Sequence, residues 1–485
     1  MKIPELFSNT RFRFIFLVIF LLAAMFAKLG DAELRPIGSA LYASISREML
    51  VRGDFLTPHV PYCANWTDFY DHPPLMFWLA ATSFKIFGTS DFAAKLPSEM
   101  FAIAAVLLTY YLGYIIGGSW TAFFAGIIMV TTPLFNQQSR VFELETVLIF
   151  FVLLAIVSFI LGLRKNRKYF LLFGISTGLA FLGKGFPAYA TYATVVLYII
   201  IAKNWKLLKY KELWFGFLLG IIIPFFWIIP QIIFEGDKFF ELYVKKQIIG
   251  SVAGRGDVLS LGKKILNYFY FFPALFSYYL PWGPVGIFVI YKILKKKLVT
   301  DEILILLLLT GIIFVSFSIP GYKDNYYLLP MWPAWAVIIG YRSETWFHTE
   351  RLKRRVTSIL LTLFIIFCFF WIFFPSMWGI KRNPEFPLMA NKVKELVPKK
   401  EIVFIYRFFY LDMIGMFPWY FDHGVSNNID SEQKLQKMLL SAPKHKKYCF
   451  LRRTDYDTFN EYFRNKTSAI YELGRYIIIT NKQHP

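Results

Sequence analysis

The sequence predicts a polytopic α-helical membrane protein of about 11 spans, with a small α/β domain on the outer side at its C-terminal end. Three observations carry this prediction. The 485 residues are 56% hydrophobic and 20% aromatic, with 54 phenylalanines, against about 45–50% apolar in a soluble globular protein. Apolar runs such as 12–30 and 213–234 approach or exceed the roughly 20 residues that cross a bilayer. The formal charge of +21 is gathered in short loops between those runs, at Arg164-Lys165-Asn166-Arg167-Lys168 and at 203–211, 292–297 and 342–355. That is the pattern of cytoplasmic loops and argues against a nucleic-acid-binding surface.

Taken in order, span one covers 12–30 and leads outward to a polar loop, 31–72. It is read as a retained span, since no small-residue cleavage site follows it. Residues 75–87 are apolar but short and contain Lys85, which predicts an interfacial helix. Further spans follow at 93–116, 121–136, 143–163, 169–183, 186–202, 212–234, 268–291, 303–319, 327–341 and 356–375. With 75–87 at the interface, every strongly basic loop falls on the cytoplasmic side. The polar interruptions 31–72, 136–145, 184–187, 235–267 and 320–326 then fall together on the outer side. The membrane domain is therefore 1–375, with outer loops 31–72 and 235–267. From Ser376 onward the composition changes, and 376–485 reads as the α/β domain. It has short strands at 401–406, 447–452 and 476–480 and amphipathic helices at 387–397, 431–440 and 455–464. Three cysteines make no disulfide framework; Cys63 and Cys449 share the outer side, but their spacing gives no support for a pair.

Ionisable residues beside membrane spans are costly, and they pair with one another or line a functional cavity. Asp31 and Glu33 follow span one and face the same way in an extended segment. Either is a candidate base, and the ordinary alternative is a solvated loop face. Asp71-His72-Pro73-Pro74 holds an acid and an imidazole at the entry to a helix fixed by two prolines. Arg140 and Glu145 flank the outer ends of two spans, and Glu143 lies between them; snorkelling would also explain them. Lys184 stands between Gly183 and Gly185, Lys323 and Tyr326 stand in another interruption, and Arg255 lies in a glycine-containing loop. Acids and bases thus converge on one side from chain-distant turns. That suits a substrate with an anionic head at the surface and a tail in lipid, where cations would stabilise a phosphate leaving group. There is no phosphate loop or dinucleotide glycine fingerprint in the chain.

Five segments, YASISREMLVRGDFLTPHV, FYDHPPLMFWLAATSFKIFG, SRVFELETVLIFF, GLAFLGKGFPA and YKDNYYLLPMWPA, together resemble the polytopic GT-C glycosyltransferases of the protein O-mannosyltransferase and lipid A aminoarabinose transferase (ArnT-like) superfamily. The resemblance implies transfer of a sugar from a polyprenyl-phosphate (undecaprenyl-phosphate) donor to an acceptor such as lipid A or a protein hydroxyl, on the outer face of a bacterial inner membrane. It implies Glu145, with Asp31 or Glu33, as catalytic acids, and Asp71, His72, Arg140, Lys184, Arg255, Lys323 and Tyr326 as substrate- or phosphate-binding groups. The family's first-loop acid precedes its REM segment; here that place reads Gly38-Ser39-Ala40-Leu41-Tyr42-Ala43, so Asp31 and Glu33 stand in for it. The family's Glu-Lys-Pro-Pro is Asp71-His72-Pro73-Pro74 here. No organic cofactor and no metal ligand set is expected, and a divalent cation is left open. The alternatives are a transporter or flippase of lipid-linked sugars, which predicts inverted repeats that the chain lacks, and a catalytically inactive relative.

Overall fold

The computed structural model describes residues 9–26, 29–60 except 32 and 35, 68–250, 266–341, single positions between 349 and 373, and 385–482 except 410, 411, 414, 422, 423 and 442–444. Arg255 and most of the expected span at 356–375 lie outside the described residues. The chain divides into two compact units. The first is Met1–Leu29, Tyr70–Leu79 and Lys95–Trp378; the second is Gly30–Phe69, Ala80–Ala94 and Gly379–Pro485.

The first unit is helical. Among the described residues, four helices are long and apolar enough to cross a membrane: Asp91–Thr131, Glu145–Arg164, Lys211–Glu235 and Asp301–Ser318. The bent pair Phe271–Ser277 and Trp282–Lys295 would make a fifth. Leu75–Phe87, Tyr169–Lys184 and Phe186–Ile201 are apolar but shorter. Two expected spans, 93–116 and 121–136, share the 41-residue helix Asp91–Thr131, whose helical backbone is broken at Gly118 (φ 81°, ψ −170°). A positive φ of this kind is open to glycine at little cost.

Aromatic packing holds this unit together. Phe159 lies against Phe170 and Tyr198, with ring centroids 5.6 and 5.8 Å apart. Buried and half-buried indoles find acceptors, as they must in an apolar interior. Trp332 Nε1 donates to Thr132 Oγ1 at 2.6 Å, and Trp282 Nε1 donates to Thr131 Oγ1 at 2.9 Å. Helix Lys211–Glu235 turns Phe226 and Ile233 outward, 76% and 70% exposed. Lipid tails are as apolar as these side chains, so such exposure carries no penalty in a bilayer.

The second unit contains a five-stranded sheet: β1 Val403–Tyr406, β2 Val425–Ile429, β3 Tyr448–Arg452, β4 Thr467–Leu473 and β5 Tyr476–Asn481. Their order is β2-β1-β3-β5-β4. β1 is parallel to β2 and β3, and β5 is antiparallel to β3 and β4. Alternation along β3 sends Cys449 and Leu451 to one face, where they pack with Leu435, Leu439, Phe459 and Phe463. Phe450 goes to the other face, against Phe408, Phe417 and Phe421. Cys449 is a buried free thiol. Two strands, β2 and β4, lie where the sequence reading had none.

The first polar loop joins this unit through polar contacts. Arg47, on helix Leu41–Arg52, donates to the carbonyls of Pro418 and Trp419 at 2.6 and 3.2 Å. Asp91 accepts from Trp419 Nε1 at 2.7 Å and from Tyr420 OH at 2.8 Å, and that hydroxyl accepts from the Leu34 amide at 2.8 Å.

Candidate active site

One end of the first unit is built by an antiparallel helix pair. Glu145–Arg164 and Tyr169–Lys184 are joined by the basic turn at 165–168. The start of one helix therefore lies beside the end of the other, and Glu145 meets Lys184 in an ion pair. The pair is nearly dry: the Glu145 side chain is 3% exposed and that of Lys184 12%. Glu145 stands in the first helical turn, where the helix dipole favours an anion, and Lys184 in the last, where it favours a cation. The carboxylate uses only Oε1 for Lys184; Oε2 is buried without a hydrogen-bond partner among the described residues. A buried unpartnered acceptor is rare and points to a group that awaits a ligand or a proton.

Helix Tyr169–Lys184 stops at Gly185, whose φ of 86° again requires glycine's freedom. A Cβ there would come within 4.0 Å of Pro73 and 3.6 Å of the Tyr243 hydroxyl. The Asp71–Pro74 segment thus reaches the Lys184 end of the helix pair. Asp71 and His72 are half-buried and both prolines are buried. Burial, and then the positive charge of Lys184, push the His72 pKa down to about 3. The imidazole is neutral at physiological pH and can offer one N–H and one lone pair. Unfolded histidine titrates near 6.5. The folded value lies below the unfolded one, so stability is undiminished above pH 6.5 and falls as the pH drops towards 3. Thermal denaturation in detergent is expected to show a wild-type loss between pH 6.5 and 4.5 that His72→Gln lessens. Identical pH profiles would contradict a neutral, enclosed ring.

The far wall comes from the interruption at 320–327. The Lys184 ammonium lies 4.9 Å from the Tyr327 ring centroid and 5.6 Å from that of Tyr326, within cation–π range. Tyr326 donates to Asp324 Oδ2 at 2.8 Å. Burial, followed by the charges of Glu145 and Glu143, raises its phenol well above the ordinary range, so it stays a neutral donor. Lys323 is 9% exposed, donates to the Pro320 carbonyl and lies 5.9 Å from the Tyr268 ring. Among the described residues no carboxylate lies within ion-pairing distance of it, and burial lowers its pKa. An anion brought to Lys323 would relieve that cost.

The structure thus brings His72, Glu145, Lys184 and Tyr326 together, with Lys323 on the same interruption as Tyr326. Arg140 is 7% exposed and donates from Nη1 to the carbonyls of Ala24 and Met25, both at 3.0 Å. Asp31, exposed, and Glu33, half-buried, belong to the second unit. At Gly38, where the family pattern has an acid, the backbone is left-handed (φ 76°). That conformation disfavours any side chain and gives a local reason for the glycine. Tyr327, Lys95 and Glu99 were not singled out from sequence. Lys95 and Glu99 carry a legible signal, an oppositely charged pair four residues apart in an apolar helix. Among the described residues no group of three or more His, Cys, Asp or Glu is placed to hold a metal ion.

Comparisons with known proteins agree with this architecture. Residues 71–232 match the family model described as dolichyl-phosphate-mannose-protein mannosyltransferase. An uncharacterized protein of Aquifex aeolicus is 26% identical over 73% of this chain and 68% of its own length. A second protein of that organism is 30% identical over 63% of this chain and 66% of its own length. The undecaprenyl phosphate-alpha-4-amino-4-deoxy-L-arabinose arabinosyl transferase of Aeromonas salmonicida is 25% identical over 62% of this chain; the match spans 54% of that relative. In three dimensions the chain is similar to ArnT from Cupriavidus metallidurans bound to undecaprenyl phosphate. The TM-score is 0.75 at 15% identity, over 96% of this chain and 97% of that one. It is also similar to the Archaeoglobus fulgidus oligosaccharyltransferase, with a TM-score of 0.53 at 13% identity, over 87% of this chain and 65% of that one. Fold and site together define a polytopic integral membrane protein with the GT-C architecture. The family match over residues 71–232 and the shared fold agree with the resemblance to the GT-C glycosyltransferases, and the proteins similar to this chain include ArnT-type transferases.

Proposed function

We propose that this chain transfers a sugar from a polyprenyl-phosphate donor to an acceptor such as lipid A or a protein hydroxyl, on the outer face of a bacterial inner membrane. The observation that carries this reading is the buried Glu145–Lys184 pair, with one carboxylate oxygen unpartnered and Lys323 without an acidic partner among the described residues. The donor phosphate is held by Lys184 and Lys323, with His72 giving a neutral hydrogen bond. An acceptor hydroxyl oxygen attacks the anomeric carbon and its proton passes to Glu145. The bond from that carbon to the phosphate oxygen breaks, and the electron pair leaves with the polyprenyl phosphate, whose charge the lysines stabilise. The family resemblance assigns acceptor orientation to Asp31 or Glu33 and phosphate binding to Arg255, which lies outside the described residues. The similarity to an undecaprenyl phosphate arabinosyl transferase, and to ArnT bound to undecaprenyl phosphate, supports an undecaprenyl-phosphate carrier.

The glycine at 38 favours a second reading, in which the chain binds lipid-linked sugar without turning it over. Purified protein in lipid with radiolabelled polyprenyl-phosphate sugar and a lipid A acceptor separates the two. Acceptor-dependent release of unlabelled polyprenyl phosphate, with label moving to the acceptor, is the expected result. Saturable donor binding without transfer to any lipid A or hydroxyl-bearing peptide acceptor would favour the second reading.

A further inference from the structure

We infer that the carboxyl end of the C-terminal sheet, between β1 and β3, binds the phosphate of a phosphorylated sugar headgroup, with the Arg452 guanidinium as its fork and Phe409 as its apolar wall. The site stands on the geometry of the second unit alone; only its use, to dock the acceptor, rests on the functional reading above.

The sheet topology makes the place. β1 lies between β2 and β3 and is parallel to both. From β1 the chain crosses to β2 through helix Met416–Phe421, and from β2 to β3 through helix Glu432–Leu440. The first helix packs on the Phe450 face and the second on the Cys449 face. From β3 the chain goes on to β4, at the opposite edge from β2. The connections therefore part between the carboxyl ends of β1 and β3. In open α/β sheets such a parting leaves a crevice where ligands bind.

The groups at this crevice are held in place. Arg407 follows β1 with a φ of 54°, a conformation that is costly for a residue with a Cβ. Its amide donates to the Ile429 carbonyl at 2.9 Å and its Nε to the Asp430 carbonyl at 3.1 Å. Asn428 grips Phe408 twice, accepting from its amide at 2.9 Å and donating to its carbonyl at 2.8 Å. The polar strand β2 thus fixes the turn that presents Phe408 and Phe409. Alternation along β3 puts Arg452 on the Phe450 face. Its guanidinium carbon lies 5.2 Å from the ring centre of Phe408 and 5.4 Å from that of Phe409, within cation–π range. Phe408 is buried and stacked on Phe450 and Tyr476, whereas Phe409 is 70% exposed.

The neighbouring arginines have acids of their own. Arg407 lies 3.9 Å from Asp455, Arg453 pairs with Glu472, and Arg475 lies 3.7 Å from Glu385. The half-buried Arg452 has no ion pair or hydrogen bond from its guanidinium among the described residues. Asp412 is the acid whose charge reaches it; burial raises the pKa of that carboxyl, against the pull of Arg452 and Arg475. A guanidinium packed on rings, with its N–H fork unpaired, is preorganised for two parallel hydrogen bonds to an oxyanion. The exposed ring beside it offers an apolar surface to the C–H face of the sugar that carries the phosphate.

The test uses purified full-length protein in lipid, with lipid A as the probe, alongside lipid A stripped of its phosphates and inorganic phosphate alone. Saturable binding of the phosphorylated lipid is expected, weakened about ten- to a hundredfold in Arg452→Gln and only partly restored in Arg452→Lys, which lacks the fork. Phe409→Ala is expected to weaken it about threefold. In the transfer assay Arg452→Gln is expected to raise the acceptor KM about tenfold or more while the donor KM moves less than about threefold. If Arg452→Gln does not fold, Phe409→Ala decides, since that ring is exposed. Equal binding by wild type and variants, or equal affinity for the phosphate-free lipid, overturns the site. Inorganic phosphate bound as tightly as the lipid overturns recognition of the headgroup. A wild type inactive in transfer, with lipid binding still dependent on Arg452, would sink the functional reading and leave the site standing.

Discussion

Lys184→Ala is expected to abolish sugar transfer and to destabilise the membrane unit at the same time. The Glu145 side chain is 3% exposed, and its Oε1 is bound to the Lys184 ammonium. Removing the lysine leaves a buried carboxylate without its counter-charge, which costs about 3–5 kcal/mol. It also removes the cation whose charge acts on the imidazole of His72. Thermal denaturation in detergent measures the first effect and the transfer assay the second. The two effects separate in the double variant Lys184→Met with Glu145→Leu. With both charges gone no uncompensated group remains, so most of the stability is expected to return while transfer stays absent. A stable single variant with wild-type transfer would contradict the site.

Glu145→Gln tests the carboxylate alone. The side chain keeps its shape, and Lys184 is released to the donor phosphate. A positioned base contributes about 10²–10⁴-fold, so kcat is expected to fall by that order with a hydroxyl acceptor, while donor affinity is kept or improved. An acceptor that is already an anionic phosphate needs no proton removed, and the loss would then be smaller. The size of the loss therefore reports the acceptor class. A kcat within about twofold of wild type with a hydroxyl acceptor would leave Glu145 no role as base.

Part of this arrangement was legible before any coordinates. Glu145 and Lys184 sit at the far ends of two apolar runs joined by five residues of mostly basic turn. Charge fixes the side of the turn, so the far ends must meet on the other side. The helix Leu75–Phe87 was legible for a similar reason, because two prolines open it and its length falls short of a span.

The rest was hidden for identifiable reasons. Tyr327 is one aromatic in a chain that is 20% aromatic, so its place beside Lys184 has no local signature. Arg140 bonds to carbonyls 115 and 116 residues away, and a backbone acceptor leaves no mark in the sequence. The contact between Asp91 and Trp419 spans 328 residues, so the grouping of the first polar loop with the C-terminal sheet could not be read. Strand β2, VSNNI, is a polar edge of that sheet, and edge strands lack the continuous apolar run that marks central ones. Several spans read from hydropathy prove to be short helices, because the interruptions that carry Lys184 and Lys323 also cut the apolar runs.

The central claim is that the cations Lys184 and Lys323 of the first unit hold the phosphate of a lipid carrier. Titrating purified protein with undecaprenyl phosphate, followed by intrinsic tryptophan fluorescence or calorimetry, tests it most directly. Lys323 has no acidic partner among the described residues, so Lys323→Ala removes a donor to the ligand without stranding a carboxylate. A charge-assisted hydrogen bond is worth about 1.5–3 kcal/mol. The account predicts saturable binding by the wild type and an affinity about ten- to a hundredfold weaker in Lys323→Ala. Equal affinity in the two proteins, or no saturable binding by the wild type, would contradict it.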